Sequence, residues 1–292
     1  MERINYRNVP VNGINIFYRE AGAAGAPVVL LLHGHSTSSH MFRNLIPALS
    51  KQYHVIAPDM PGFGYSDTPD HQSFKYTFDN LAMYIQGFIN QLGLKRFALY
   101  VFDFGAPVGF RIAMANAEKI TGIITQNGNV YEEGLTEGWK PMQQYWAKPT
   151  RENRDALRGM LTADAIKWQY VTGVDDETTI APEAYTLDQY FTAKEGKTEI
   201  LLDLLKDYAN NVALYPAIHT YFREQQPPVL AVWGNQDPFL LTAGAEAFKK
   251  DNPNARVKFF KTGHFALETH GMEIANEVLT FLTIEAGSIL TS

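Results

Sequence analysis

Phe97-Ala-Leu-Tyr-Val-Phe102-Asp103-Phe104-Gly105-Ala-Pro-Val-Gly109 is a wholly apolar run that ends on an acid and passes at once, through a glycine, into a helical pattern. A strand with no polar face has to be covered on both sides, which places it in the interior of a parallel sheet. Aspartate is a poor strand resident. Gly105, two places on, lets the chain turn sharply, and the helix that follows aims its backbone N–H groups and positive dipole end towards Asp103. Two readings of Asp103 stand at this point. It is an N-cap, a common duty for Asp before a helix, or it is a carboxylate presented at a strand tip for chemistry.

Apolar runs of the same kind recur at Pro27–Leu32, His54–Pro58, Ile120–Ile124 and Pro228–Trp233, and Arg256–Phe260 reads as a last strand. Between and after them, Thr77–Leu92, Ala106–Ala117 and Met272–Leu282 place apolar residues at helical spacing. Ile14–Tyr18 alternates after the turn Val11-Asn12-Gly13, and with Tyr6–Pro10 it predicts an N-terminal hairpin. Such alternation predicts an α/β fold built on a mostly parallel, doubly wound sheet. It stops between residues 130 and 226, where helical stretches rich in aromatics and charges carry no buried strand. That block is expected to be a helical cap, inserted into a core made of residues 1–129 and 227–292. Its aromatic residues, Trp139, Tyr145, Trp146, Trp168, Tyr170, Tyr185, Tyr190, Tyr208, Tyr215 and Tyr221, are expected mainly to pack between cap and sheet.

The 292 residues are 46% hydrophobic and 19% charged, enough to bury one large core. A formal charge of −6 offers no basic field for nucleic acid or an anionic membrane surface. With no cysteine, thiolate catalysis, disulfides and thiolate metal sites are excluded. The start, Met1-Glu2-Arg3-Ile4-Asn5, lacks an apolar signal core, so a soluble cytoplasmic protein is expected. His33, His35, His40, His54, His219, His264 and His270 show no metal-ligand spacing such as HExxH, and Gly22–Ala26 lacks the spacing of a phosphate loop. No metal or cofactor is expected.

Two further segments bear on Asp103. Trp233-Gly-Asn-Gln-Asp237-Pro238 closes a strand with another acid, and Lys261-Thr-Gly-His264-Phe265 sets a histidine just after the last strand. Ligands of parallel α/β sheets sit outside the carboxyl ends of the strands, so Asp103, Asp237 and His264 can converge on one crevice. Their order, nucleophile then acid then histidine, is the one used when a strand-turn-helix elbow presents the nucleophile.

These residues carry a family resemblance. Leu32-His33-Gly34-His35-Ser36-Thr37-Ser38-Ser39 resembles an oxyanion loop, Ala57–Asp67 is similar to the loop after the next strand, and Phe102-Asp103-Phe104-Gly105-Ala106 resembles an Asp-type nucleophile elbow. The chain thus resembles the α/β-hydrolase superfamily, in its epoxide hydrolase and haloalkane dehalogenase branch. No Gly-x-Ser-x-Gly occurs. A carboxylate attacking a carbonyl would form a reactive anhydride, whereas attack on a saturated carbon forms a stable alkyl ester. The resemblance therefore implies Asp103 as nucleophile, His264 oriented by Asp237 as the base that activates water, and the backbone N–H groups of His35 and Phe104 as the oxyanion hole. Small apolar substrates and water are the implied partners, with Phe63, Phe104, Phe239 and Phe265 near the strand ends.

For the leaving group the two branches differ. Dehalogenases commonly hold halide with a tryptophan just after the nucleophile, where this chain has Phe104, and with either an asparagine after His-Gly, where it has His35, or a second cap tryptophan, for which Trp139, Trp146 and Trp168 are the candidates. Epoxide hydrolases protonate the opening oxygen with cap tyrosines, for which Tyr215 is the first candidate and Tyr145 and Tyr170 the second donors. The branch's His-Gly-x-Pro is altered, with Ser36 in place of proline. Ester hydrolysis after epoxide opening is the expected function. Haloalkane or haloacid dehalogenation is the alternative within enzymes, and a non-catalytic small-molecule receptor is the alternative outside them. Asn127, just after the strand at Ile120–Thr125, is expected to shape a turn rather than line the pocket.

Overall fold

Asn12 and Gly13 have φ of 48° and 83°, the left-handed pair that a two-residue hairpin turn demands, and they join β1 (Asn5–Val11) to β2 (Ile14–Ala21). The computed structural model describes residues 3–286. Six more strands follow: β3 (Val28–Leu32), β4 (His54–Pro58), β5 (Phe97–Phe102), β6 (Ile120–Gln126), β7 (Val229–Gly234) and β8 (Arg256–Phe260). They form one sheet in the order β1-β2-β4-β3-β5-β6-β7-β8. The β1–β2 and β2–β4 pairs are antiparallel and the other pairs parallel. The expected strands are all present, with ends shifted by at most three residues.

The core helices are α1 (Leu45–Leu49), α2 (Phe78–Gln91), α3 (Gly105–Ala115), α9 (Thr242–Asp251) and α10 (Ala266–Phe281). Two apolar layers cover the two faces of the sheet. Leu99 and Val101 of β5 join Leu81, Ile85 and Phe88 of α2 and Ile112 of α3 on one side. Tyr100 and Phe102 join Leu45 and Ile46 of α1 and Ile274 and Val278 of α10 on the other. All six β5 residues are buried, which is why this strand reads as an unbroken apolar run.

Five helices lie between β6 and β7: α4 (Lys140–Ala147), α5 (Arg151–Ala156), α6 (Ala163–Val171), α7 (Pro182–Thr192) and α8 (Lys197–Gln225). Thr150 and Thr162 cap α5 and α6, accepting from the N–H groups of Asn153 and Ala165. Tyr208 of α8 is the centre of an aromatic cluster, its ring 4.7 Å from that of Trp139 and 6.2 Å from that of Trp146. Trp168 and Tyr190 depart from the packing expectation, being 46% and 61% exposed. Among the described residues no helix is long and apolar enough to cross a membrane.

Candidate active site

Asp103 leaves β5 at φ 47°, a left-handed conformation that a residue with a Cβ adopts at a cost of roughly 1 kcal/mol. Its neighbours leave no room for alternatives. A Cβ on Gly105 would lie 2.2 Å from the Leu32 carbonyl oxygen, and one on Gly34 would lie 2.5 Å from the Asp103 Cβ. The chain turns tightly here because two glycines allow β3, β5 and α3 to meet.

The turn directs the carboxylate away from its own helix. The N-cap position of α3 is Phe104, which makes no side-chain capping bond, whereas Asp103 Oδ1 accepts the His35 backbone N–H at 2.5 Å. Asp103 Oδ2 faces His264 Nε2 at 3.7 Å. The capping reading of Asp103 is therefore set aside. One oxygen is held by an amide of the β3 loop, and the other points at an imidazole.

His264, four residues beyond β8, bonds through Nδ1 to Asp237 Oδ2 at 2.7 Å, which leaves Nε2 as the basic nitrogen facing Asp103. Asp237 is itself fixed. Its Oδ1 accepts the N–H groups of Phe239 at 2.7 Å and Leu240 at 3.2 Å, and its Oδ2 also accepts from Asn127 Nδ2 at 2.6 Å. Asn127, at φ 42° after β6, accepts the Gly234 N–H at 3.0 Å through Oδ1. The residue expected to shape a turn thus also orients the acid. The available sequence signal is positional: Asn127 follows β6 directly, at the same carboxyl edge where Asp237 stands beyond β7. Burial pulls the His264 imidazole down, but the charge and hydrogen bond of Asp237, with Asp103 behind, outweigh it and leave the pKa above 6.5.

The β3 loop is locked from below. His33 Nδ1 lies 3.0 Å from the Gly34 carbonyl and its Nε2 accepts the Met60 N–H at 3.0 Å, while Asp59 accepts the N–H groups of Ser39 and Tyr65 at 2.7 and 2.8 Å. Ser36, where the branch often carries proline, has φ 62°. Proline is confined near −65°, so this loop follows a path that proline cannot. Ser36 Oγ lies 2.9 Å from His35 Nδ1. Burial, opposed by Asp103, pushes the His35 imidazole down to about 4, so near neutral pH it is an uncharged ring.

Asp103, His264 and His35 open onto a small cavity of about 40 Å³ whose other walls include Phe104, Trp139 and Gln169. None of the three expected leaving-group donors lines it. Tyr170 donates to Asp188 Oδ2 at 2.5 Å with its ring stacked 3.7 Å from that of Phe265, and the Tyr145 hydroxyl accepts from Arg154 at 3.2 Å. Tyr145 and Tyr170 are corrected on that ground: their hydroxyls serve the cap's own packing. Tyr215 is buried and does not reach the cavity wall; its hydroxyl approaches Tyr208 and Asn129 without reaching hydrogen-bond geometry. Tyr208 does not line the cavity either, but its ring packs 5.9 Å from that of Phe104, one of the cavity walls, and its phenol feels the charge of Asp103. Burial, then Tyr215, then the charge of Asp103 hold its pKa well above the ordinary range. Tyr208 was legible only as one of many cap aromatics. Its spacing of seven from Tyr215, which puts both on one face of a helix, is the signal that could have singled it out.

The α/β hydrolase fold family matches residues 27–271 of the chain. An uncharacterized hydrolase of Saccharomyces cerevisiae is 46% identical over 275 residues, covering 92% of this chain and 93% of the yeast protein. A haloalkane dehalogenase of Mycobacterium marinum is 27% identical over 278 residues, covering 92% of this chain and 89% of its own. Among solved structures, the haloalkane dehalogenase DbeA of Bradyrhizobium elkanii is similar in fold, with a TM-score of 0.79, 23% identity and 99% of each chain covered.

Proposed function

The chain belongs to the α/β hydrolase fold family and is a hydrolase of that type, and we propose that it opens epoxides through a covalent ester on Asp103. The observation that carries the proposal is the pose of that carboxylate at φ 47°, with Oδ1 on the His35 amide and Oδ2 opposite His264. Asp103 Oδ2 attacks a ring carbon, the C–O bond of the epoxide breaks, and the released alkoxide takes a proton. His264 Nε2 then removes a proton from water, and the hydroxide adds to the Asp103 carboxyl carbon. Negative charge gathers on Oδ1, where the His35 N–H already sits and where the Phe104 N–H is placed by its position in the elbow. The acyl C–O bond breaks, the alcohol oxygen takes the proton held by His264, a diol leaves, and the proton remaining on the Asp103 carboxyl returns to the donor that protonated the alkoxide.

Epoxide is favoured as the substrate by what the tryptophans do. Indole N–H groups of Trp139, Trp146 and Trp233 donate to the carbonyls of Phe239, Leu205 and Leu240 at 2.9, 2.7 and 3.0 Å. Trp168 is half-exposed and does not line the cavity at Asp103. The three bonded indoles are not free to hold a halide at Asp103. Tyr208, with the buried and unbonded hydroxyl of Tyr215 behind it, is the proton donor in this reading, and it takes the place expected of Tyr215. A second reading, dehalogenation of haloalkanes, is favoured by relatives of that name and by His35, whose neutral imidazole lines the cavity beside Asp103. A panel of terminal epoxides and of bromo- and fluoroalkanes separates the two. Diol formation without halide release is expected. Halide release without diol transfers the conclusion to the second reading, and turnover of neither overturns both.

A further inference from the structure

Outside the catalytic cavity lies a second, larger hollow of about 600 Å³ between α4 and α6, open to solvent and walled in part by Pro141 and Trp168. The two spaces share Met160, Gln169 and Phe239, so these three side chains stand between them. Met160 and Phe239 are apolar. Gln169, on α6, is only 6% exposed and its carboxamide makes no hydrogen bond to any described residue. The other buried amides behave differently: Asn116, Gln126, Asn127, Asn129, Asn211 and Asn252 each hold at least one protein partner. A buried carboxamide offers two N–H donors and an acceptor oxygen, and an interior position normally satisfies them. At this position no protein group meets the amide, whose polar atoms face the two spaces, so its partner is water or a bound molecule.

We propose that Gln169 is a specificity-determining residue that donates to an ether or ester oxygen of the substrate, set between the reacting carbon in the inner cavity and an apolar tail in the outer hollow. The substrate class is then alkyl or aryl glycidyl ethers and esters rather than plain alkyl epoxides. A bare alkyl chain drawn past Gln169 strips water from the amide and returns no hydrogen bond; an ether oxygen at that point restores one. The identity of the reacting end rests on the function proposed above, whereas the oxygen beside the amide rests on Gln169 alone.

The test compares butyl glycidyl ether with epoxyoctane, chains of equal length, in the wild type and in Gln169→Leu. Binding of the two corresponding diols is titrated in parallel. Wild type is expected to favour the ether over the alkane in kcat/KM, and in diol affinity, by about tenfold more than Gln169→Leu does, with an unchanged melting temperature because Gln169 holds nothing within the fold. An ether-to-alkane ratio that is the same in both proteins, in turnover and in diol binding, overturns the proposal. Absence of epoxide turnover in the wild type counts against the proposed function instead, and the diol titration then still decides the role of Gln169.

Discussion

Burial alone would lower the basicity of His264, and the charge and hydrogen bond of Asp237, aided by Asp103, reverse that. The imidazole has to be neutral to take a proton from water, so activity is lost as pH falls through its raised pKa. We predict one acid limb in the pH dependence of kcat; a kcat that does not fall towards acid pH contradicts the assignment of His264 as base. Asp103 carries a separate signature, because at φ 47° alanine is strained and glycine is not. Asp103→Gly is expected to be more stable than Asp103→Ala by roughly 1 kcal/mol, with both inactive. Equal melting temperatures would show that the elbow relaxes when the side chain is lost. These residues were legible in the sequence because each acid or base stands next to the end of a buried strand, where a polar residue is conspicuous. Asn127 was seen, but its second task was not, since a hydrogen bond to Asp237 across 110 positions leaves no local pattern.

The strands of the core could be placed from their runs of apolar residues because the sheet is buried on both faces, and that leaves little ambiguity about where they begin and end. The cap helices could be recognised as helices, but not aimed. On α8, 29 residues long with Pro216 inside it, Leu205, Tyr208, Tyr215 and Tyr221 are all buried, and helical spacing alone does not say which of them faces Asp103. This is why Tyr145, Tyr170 and Tyr215 were reasonable donors by residue type, while the packing brings Tyr208 against Phe104 instead. The consequence at this scale is that Tyr208→Phe should lower the rate of Asp103 ester formation from an epoxide by about a hundredfold, a loss of proton donation, and Tyr145→Phe should change it little. Single-turnover kinetics read this directly. A Tyr208→Phe enzyme that alkylates at the wild-type rate would remove Tyr208 from the mechanism.

Cap and core are tied together at the start of α8, where buried Lys197 donates to the Gly62 carbonyl and, at 2.9 Å, to the Thr68 hydroxyl of the loop beyond β4. Burial, with Lys194 adding to it and Asp59 opposing, pushes the Lys197 pKa down to about 8 from 10.5. The unfolded chain therefore binds the extra proton between those two values, and this group makes the fold more stable as pH rises through that window. Below it the full burial penalty applies, on the order of 3 kcal/mol. The melting temperature of Lys197→Met relative to wild type is thus expected to be most favourable at pH 7 and to decline towards pH 10; a pH-independent difference would mean that the buried amine keeps its ordinary pKa in the folded protein. Across the whole molecule the apolar layers bring Asp103, Asp237 and His264 from separate strand ends to one site, and the covalent step is the claim on which the rest depends. Its most direct measurement is intact-protein mass after mixing His264→Gln with a terminal epoxide. The account predicts a stable gain of one substrate mass on the peptide bearing Asp103, absent from Asp103→Asn, and wild-type turnover by His264→Gln with no adduct would contradict it.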